Sequence, residues 1–281
     1  MKDLKIVTDS GADLSQELIT KYNIDVIPIP VQIEEKSYKD RKNLSPDAFY
    51  EKLDGLTELP TTSQIPPYVF QKRFSRLLEE YERIFYINFS SQLSGIYNSA
   101  LTTTNSLNDK DRITIFDSKA ASMGQGLLVV RAARLARAGN EIPEIYSALE
   151  EMRTNYKQIF RVGSLEMLKK GGRISSAKAF VGAVLNINPI LEVNQAGEIV
   201  PRDKVRGEEK MLNYFITALQ KLGTDLAQQT IGISHGNAPK LTDELVTRIN
   251  NQLEVKEIIV TKMGAAIGSH AGPGTIALFF N

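Results

Sequence analysis

Three short loops carry the hydroxyl and glycine residues best suited to holding a ligand. They are Pro60-Thr61-Thr62-Ser63-Gln64, Ser90-Ser91-Gln92-Leu93-Ser94-Gly95 and Asp117-Ser118-Lys119-Ala120-Ala121-Ser122. Each stands at a strand end or a helix start, and what they share is neutral hydrogen-bond donors. Backbone N–H groups at a helix start carry partial positive charge, and adjacent hydroxyls donate too. Two such loops facing one another hold a carboxylate or phosphate without a buried lysine. Taken singly, each serine has a simpler reading as the cap of its helix.

Leu168-Lys169-Lys170-Gly171-Gly172-Arg173-Ile174-Ser175 reads as a helix end, a glycine reversal with Gly171 as a left-handed cap, then a basic residue and a capping serine. Arg173, and Arg206 in Arg202-Asp203-Lys204-Val205-Arg206, suit an anion or an acidic partner, and equally suit solvent. The run Gly264-Ala265-Ala266-Ile267-Gly268-Ser269-His270-Ala271-Gly272-Pro273-Gly274 reads as a small-residue loop before the last strand. It lets backbone approach a ligand closely, and His270 is its only ionisable side chain.

Other motifs fail on their own terms. Gly124-Gln125-Gly126 follows a strand and opens a helix, but Val129 replaces the third glycine of a dinucleotide fingerprint. No Walker A sequence occurs. Ser175-Ser176-Ala177-Lys178 matches S-x-x-K by letters without its partner motifs, so Ser175 reads as a cap and Lys178 as a surface charge. Gly232-Ile233-Ser234-His235-Gly236 has the form of a nucleophile elbow, with Asp243 and His270 following in hydrolase order. The sequence beyond Ser234 is too short for the strands and helices such a hydrolase places there, which favours a plain strand-to-helix turn. With only His235 and His270, and no H-E-x-x-H pattern, no metal site is expected.

The elements that must position these loops follow from composition and periodicity. A chain of 281 residues has length for about two domains. Lys plus Arg number 34 against 33 Asp plus Glu, a net charge of +1 that offers no basic field to nucleic acid or an anionic membrane. Cysteine is absent, which removes disulfides, thiolate nucleophiles and Cys-based metal sites. The start has no apolar leader-like stretch, and the longest apolar run, Ala179 to Leu185, is too short to span a membrane. A cytoplasmic protein is expected.

Short β-branched runs at Leu4–Thr8, Asp25–Ile33, Arg83–Phe89 and Ile113–Phe116 alternate with helical segments, a βαβ rhythm that predicts a parallel sheet. Ser45-Pro46-Asp47 marks one helix start, and Ser122 caps a longer helix ending at Gly139. After a helix from Pro143 to Tyr156 the pattern changes. Strands are expected at Gln158–Val162, Ile190–Val193, Glu198–Val200, Thr230–Ser234, Glu257–Lys262 and Thr275–Phe280, with helices at Glu208–Leu222 and Leu241–Leu253. The second and third of these strands form a hairpin across Gln195-Ala196-Gly197. The expectation is an N-terminal parallel-sheet α/β domain over 1–158 and a C-terminal α+β domain with a mixed sheet over 159–281.

Taken together, the segments resemble the DegV family over about residues 3–280. The resemblance rests on Val7-Thr8-Asp9-Ser10 with Ala12-Asp13-Leu14, Thr62-Ser63-Gln64, Ser90-Ser91-x-Leu93-Ser94-Gly95-x-Tyr97-x-Ser99-Ala100, and Asp117-Ser118-Lys119. It rests also on Leu168-Lys169-Lys170-Gly171-Gly172-Arg173-Ile174, Asn188-Pro189-Ile190-Leu191 and His270-x-Gly272-Pro273-Gly274.

The resemblance implies a fatty-acid-binding protein, similar to the B subunits of fatty acid kinase, with one long-chain fatty acid such as hexadecanoate between the domains, its acyl chain in an apolar tunnel. It implies Thr62 and Ser94 as carboxyl ligands, supported by Ser63, Ser91, the Gly95 amide and His270. Arg173 and Arg206 match positions near the head group and the kinase-facing surface. No cofactor is implied and the chain itself would not be an enzyme. A separate ATP-dependent kinase subunit would phosphorylate the presented carboxyl group, giving an acyl phosphate for phospholipid synthesis. Ile65, Gln92 and Ile96 depart from the commoner proline, glycine and threonine of the family. The protein is expected to be a monomer with neither nucleic-acid binding nor stable membrane insertion. The alternatives are a serine hydrolase of acyl esters using Ser234, Asp243 and His270, and a binder of another amphipathic acid.

Overall fold

The structure, a computed structural model, describes residues 2–174 and 187–281. The readings of Ser175, of Ser175-Ser176-Ala177-Lys178 and of the apolar run from Ala179 to Leu185 lie outside the described residues. The N-terminal half runs β1 (Lys2–Asp9), α1 (Gln16–Tyr22), β2 (Asp25–Ile27), β3 (Pro30–Ile33), β4 (Lys36–Lys39) and α2 (Pro46–Leu53). It continues through β5 (Thr61–Thr62), α3 (Pro67–Leu78), β6 (Tyr81–Asn88), α4 (Ile96–Asn105), β7 (Ile113–Asp117), α5 (Met123–Arg137) and α6 (Ile142–Asn155).

The expected parallel sheet is present, in the order β2-β1-β6-β7. The predicted strand Asp25–Ile33 is instead two strands in two sheets. Pro28 and Pro30 fix φ and lack N–H donors, so the ladder with β1 stops at Ile27. The chain then turns into a small antiparallel sheet, β4-β3-β5, which carries Thr62 opposite Val31. Ser45 caps α2 as predicted, its hydroxyl accepting from the Ala48 amide ahead of Pro46.

The C-terminal half runs β8 (Lys157–Arg161), α7 (Leu165–Lys170), β9 (Ile187–Val193), β10 (Ile199–Arg206), α8 (Glu208–Leu222) and β11 (Thr230–His235). It ends with α9 (Pro239–Gln252), β12 (Glu257–Lys262), α10 (Ala265–Ala271) and β13 (Ile276–Phe280). Its mixed sheet has the order β10-β9-β8-β13-β11-β12, antiparallel except for the parallel pair of β11 with β12.

Helix α5 joins the halves. Ten of its fifteen residues are buried, and it packs on both β1 and β11. Gly124 and Gly126, which resembled part of a dinucleotide fingerprint, serve this packing. A Cβ on Gly126 would stand 2.6 Å from the Ala12 carbonyl oxygen, and one on Gly124 would stand 2.9 Å from the Phe279 ring.

Two local expectations are corrected. The run from Gly264 to Gly274 is not one loop, because Ala265–Ala271 forms α10. Its small residues gave no apolar period to read, and the helix is held by contacts from the other half of the chain. Gly171 has αR geometry, and Gly172 takes the left-handed φ of +71°. Gly171 is small for another reason: a Cβ there would meet His270 Nδ1 at 2.2 Å.

Candidate functional site

Between the two halves lies a largely apolar cavity, the kind of concave setting in which small-molecule sites occur. Its sheet-side wall is apolar: Phe160, Val193, Ile199, Ala277 and Phe279 point toward α5 from neighbouring strands of the C-terminal sheet. Phe160 and Ala277 are register partners, so both lie on one face. Ile29, Phe89, Leu93, Ile96 and Ala121 close the wall from the N-terminal half, and Met263, Ala266 and Ile267 close it from the α10 segment.

A small set of polar groups gathers where the first two hydroxyl loops meet α10. Thr62 Oγ1 lies 2.8 Å from His270 Nε2. Ser63 and Ser94 line the same cavity, as does Arg173. Strand pairing fixes Thr62, since β5 is laid on β3 and the Ser63 amide donates to the Pro30 carbonyl. The Ser94 loop is fixed from beneath by buried Asp9, which accepts from the Phe89 amide at 3.0 Å, the Tyr86 hydroxyl at 2.9 Å and the Gly11 amide at 3.0 Å. Burial pushes the Asp9 carboxyl up to about 6, against the pull of those donors.

The polar end combines neutral donors with one cation, Arg173. Burial, with the Arg173 charge nearby, pulls the His270 imidazole down to about 4, so it is neutral at physiological pH. Its Nδ1 is buried with no hydrogen-bond partner among the described residues. The ring proton therefore belongs on Nε2, where Thr62 Oγ1 accepts it. That leaves the Thr62 hydroxyl proton free to donate into the cavity. Arg173 is tied down by its own surroundings: Nε donates to the Leu93 carbonyl at 3.2 Å and Nη1 to the Gly171 carbonyl. It faces the cavity from a fixed perch and supplies positive potential.

Of the residues singled out in the sequence, Thr62, Ser63, Ser94, Arg173 and His270 are brought together. The Gly95 amide opens α4 beside them. Ser91 turns away: its hydroxyl donates to Asp117 Oδ2 at 2.6 Å and its amide donates to Asp117 Oδ1. Ser90 donates to the Gly197 carbonyl, which ties this loop to the turn between β9 and β10. Arg206 does not line the cavity; it is exposed at the end of β10. The residues of the apolar wall were not legible from sequence, because they come from strands and helices distant in the chain.

The elbow reading of Ser234 does not survive. Ser234 is fully buried inside β11, paired in register with Ala277, and its hydroxyl oxygen lies 2.8 Å from that of Ser122. His270 is engaged with Thr62, and Asp243 is exposed on α9. Ser122 itself is no helix cap. Its backbone takes φ 55° and ψ −142°, and its hydroxyl lies 2.6 Å from Asp13 Oδ2.

A family model described as "Uncharacterised protein, DegV family" matches residues 3–281. The chain belongs to the DegV family. It is 39% identical over 286 residues to a DegV domain-containing protein of Clostridium perfringens, across 100% of this chain and 98% of that protein. A DegV domain-containing protein of Caldanaerobacter subterraneus is 36% identical over 280 residues, across 100% of this chain and 99% of that one. Among solved structures, a DegV family protein from Thermus thermophilus, described by its fatty acid binding, matches with TM-score 0.91 at 31% identity. That match covers 99% of this chain and 98% of that chain. DegV from Bacillus subtilis, described as a fatty acid binding protein, matches with TM-score 0.88 at 29% identity over 99% of both chains. The DegV resemblance seen in the motifs thus extends through the whole fold.

Proposed function

We propose that this protein binds a long-chain fatty acid in the cavity between its two halves, with the carboxyl group at Thr62 and Ser94. The observation that carries this reading is the division of the cavity into an apolar wall and one polar end, where Thr62 and Ser94 join His270 and Arg173. The fatty acid binding described for the DegV proteins of Thermus thermophilus and Bacillus subtilis supports it. Each buried methylene contributes about 0.8 kcal/mol, so a chain of about sixteen carbons brings roughly 10 kcal/mol before ordering costs. The head group then needs hydrogen bonds that offset its desolvation, which two hydroxyls and the Gly95 amide supply.

In this reading the chain carries out no reaction itself. It presents the carboxylate to a separate ATP-dependent kinase subunit, where a carboxylate oxygen takes the γ-phosphoryl group and ADP leaves. The acyl phosphate then enters phospholipid synthesis. A neutral grip suits such a hand-over, because a bidentate arginine would hold the carboxylate more strongly. Arg206, exposed on the C-terminal unit over 159–281, belongs to the kinase-facing surface, with Arg173 nearer the head group. The protein acts as a cytoplasmic monomer that docks transiently.

The test is denaturing organic extraction of the purified protein, with mass spectrometry of the extract against a mock-purified control. The expected result is a near-stoichiometric long-chain fatty acid. An empty extract that stays empty after incubation with a panel of fatty acids would overturn the reading.

A further inference from the structure

Helix α10 belongs to the C-terminal half, yet its start is held by two carboxylates from the N-terminal half. Gly264 N donates to Asp13 Oδ1 at 2.7 Å, and Ala265 N donates to Asp40 Oδ1 at 2.7 Å. No side chain of the helix's own segment caps these amides. Asp13 and Asp40 are 0% and 1% exposed, so both bonds are made away from water, where charge-assisted hydrogen bonds are strongest. Asp13 is itself braced. Arg41 Nη2 donates to Asp13 Oδ1 at 3.0 Å and also reaches the Lys262 carbonyl, and Ser122 Oγ holds Asp13 Oδ2. Asp13 and Arg41 reach these places with left-handed φ values of 50° and 58°.

The same helix carries His270 five residues after Ala265. Its buried residues are small, Ala265, Ala266, Gly268, Ser269 and Ala271, and Gly268 sits close against Phe49 and Tyr50. Small side chains interlock weakly, so directional bonds at its first turn set how the helix is rotated and seated.

We propose that Asp13 and Asp40 are positioning residues that seat α10 and thereby hold His270 Nε2 against Thr62 Oγ1. The consequence for ligand binding rests on the fatty-acid reading above, whereas the seating of His270 is a property of the protein without ligand.

The sequence has two histidines, so imidazole NMR reads the proposal directly, with His235 as internal reference. In Asp40→Ala and Asp13→Ala the His270 signals are expected to shift while those of His235 stay. Asp40→Asn keeps an oxygen for the Ala265 amide and is expected to restore the wild-type His270 spectrum. Hexadecanoate affinity is expected to fall about tenfold in the alanine variants and to recover in Asp40→Asn, the scale of one lost hydrogen bond to a charged group. Should the alanine variants fail to fold, Asp40→Glu keeps the charge but displaces it, and it is expected to shift His270 as well.

Variants that lose thermal stability yet keep the wild-type His270 signals would overturn the proposal. So would His235 and His270 moving together. A shift of His270 in a protein that binds no fatty acid in any form would support the seating and overturn the ligand reading instead.

Discussion

Gln64 and Gly95 interlock the two hydroxyl loops. A Cβ placed on Gly95 would stand 2.2 Å from Gln64 Oε1, although the Gly95 φ of −72° is open to any residue. A side chain there would have to displace the end of the exposed Gln64 side chain, which bridges the loops of Thr62 and Ser94. Gly95→Ala is expected to push the Gln64 side chain aside and weaken fatty-acid binding several-fold, with little loss of stability. In a Gln64→Ala background the same change is expected to have almost no effect, a non-additivity that a double-mutant cycle by titration calorimetry reads directly.

Thr62→Val and Ser94→Ala each remove one hydroxyl from the polar end without altering the apolar wall. Each is expected to lower affinity for a long-chain fatty acid by about tenfold to a hundredfold, the range for a lost hydrogen bond to a charged group. Affinity for the matching long-chain alcohol is expected to fall less. Calorimetry with both ligands separates the two losses.

Stability should depend on pH with opposing contributions. His270 is held down at about 4 from an ordinary value near 6.5, so between those limits the unfolded chain binds more protons there. Its contribution is therefore lost as pH falls from 6.5 toward 4. Asp9 and Asp40, both pushed up to about 6 by burial, act the other way: theirs is lost as pH rises from about 4 to 6. His270→Gln is expected to gain about 2 kcal/mol relative to the wild type between about pH 7 and pH 4.5. Urea unfolding at the two pH values checks it.

Ser122 pairs a strained backbone with two buried hydroxyl contacts. Ser122→Ala loses the contacts and keeps the strain, whereas Ser122→Gly loses the contacts and releases the strain. The glycine variant is expected to be the more stable of the two by about 1 kcal/mol in chemical denaturation.

Ser234→Ala removes only the buried hydroxyl that meets Ser122. Unchanged fatty-acid content on extraction, and no fluorophosphonate labelling of the wild type, are the expected results. Stoichiometric labelling abolished by this substitution would restore the hydrolase.

What the sequence by itself determined was written in short-range patterns. The parallel rhythm of the first half, the hairpin across Gln195-Ala196-Gly197 and the helices at Glu208–Leu222 and after Ser45 follow from apolar period, caps and turn residues within a few positions. The hydroxyls at Thr62 and Ser94 were legible for the same reason, since each sits in a motif of adjacent residues. Tertiary structure decided the rest. Nothing local distinguishes Ser94, which faces the cavity, from Ser91, which faces Asp117; the difference lies in which way a folded loop turns. The helix at Ala265–Ala271 has too few large apolar residues to announce itself. Its first amides find their acceptors in Asp13 and Asp40, more than 200 residues away in sequence. The apolar wall, likewise, is made of strand faces that become one surface only when the second sheet packs across α5.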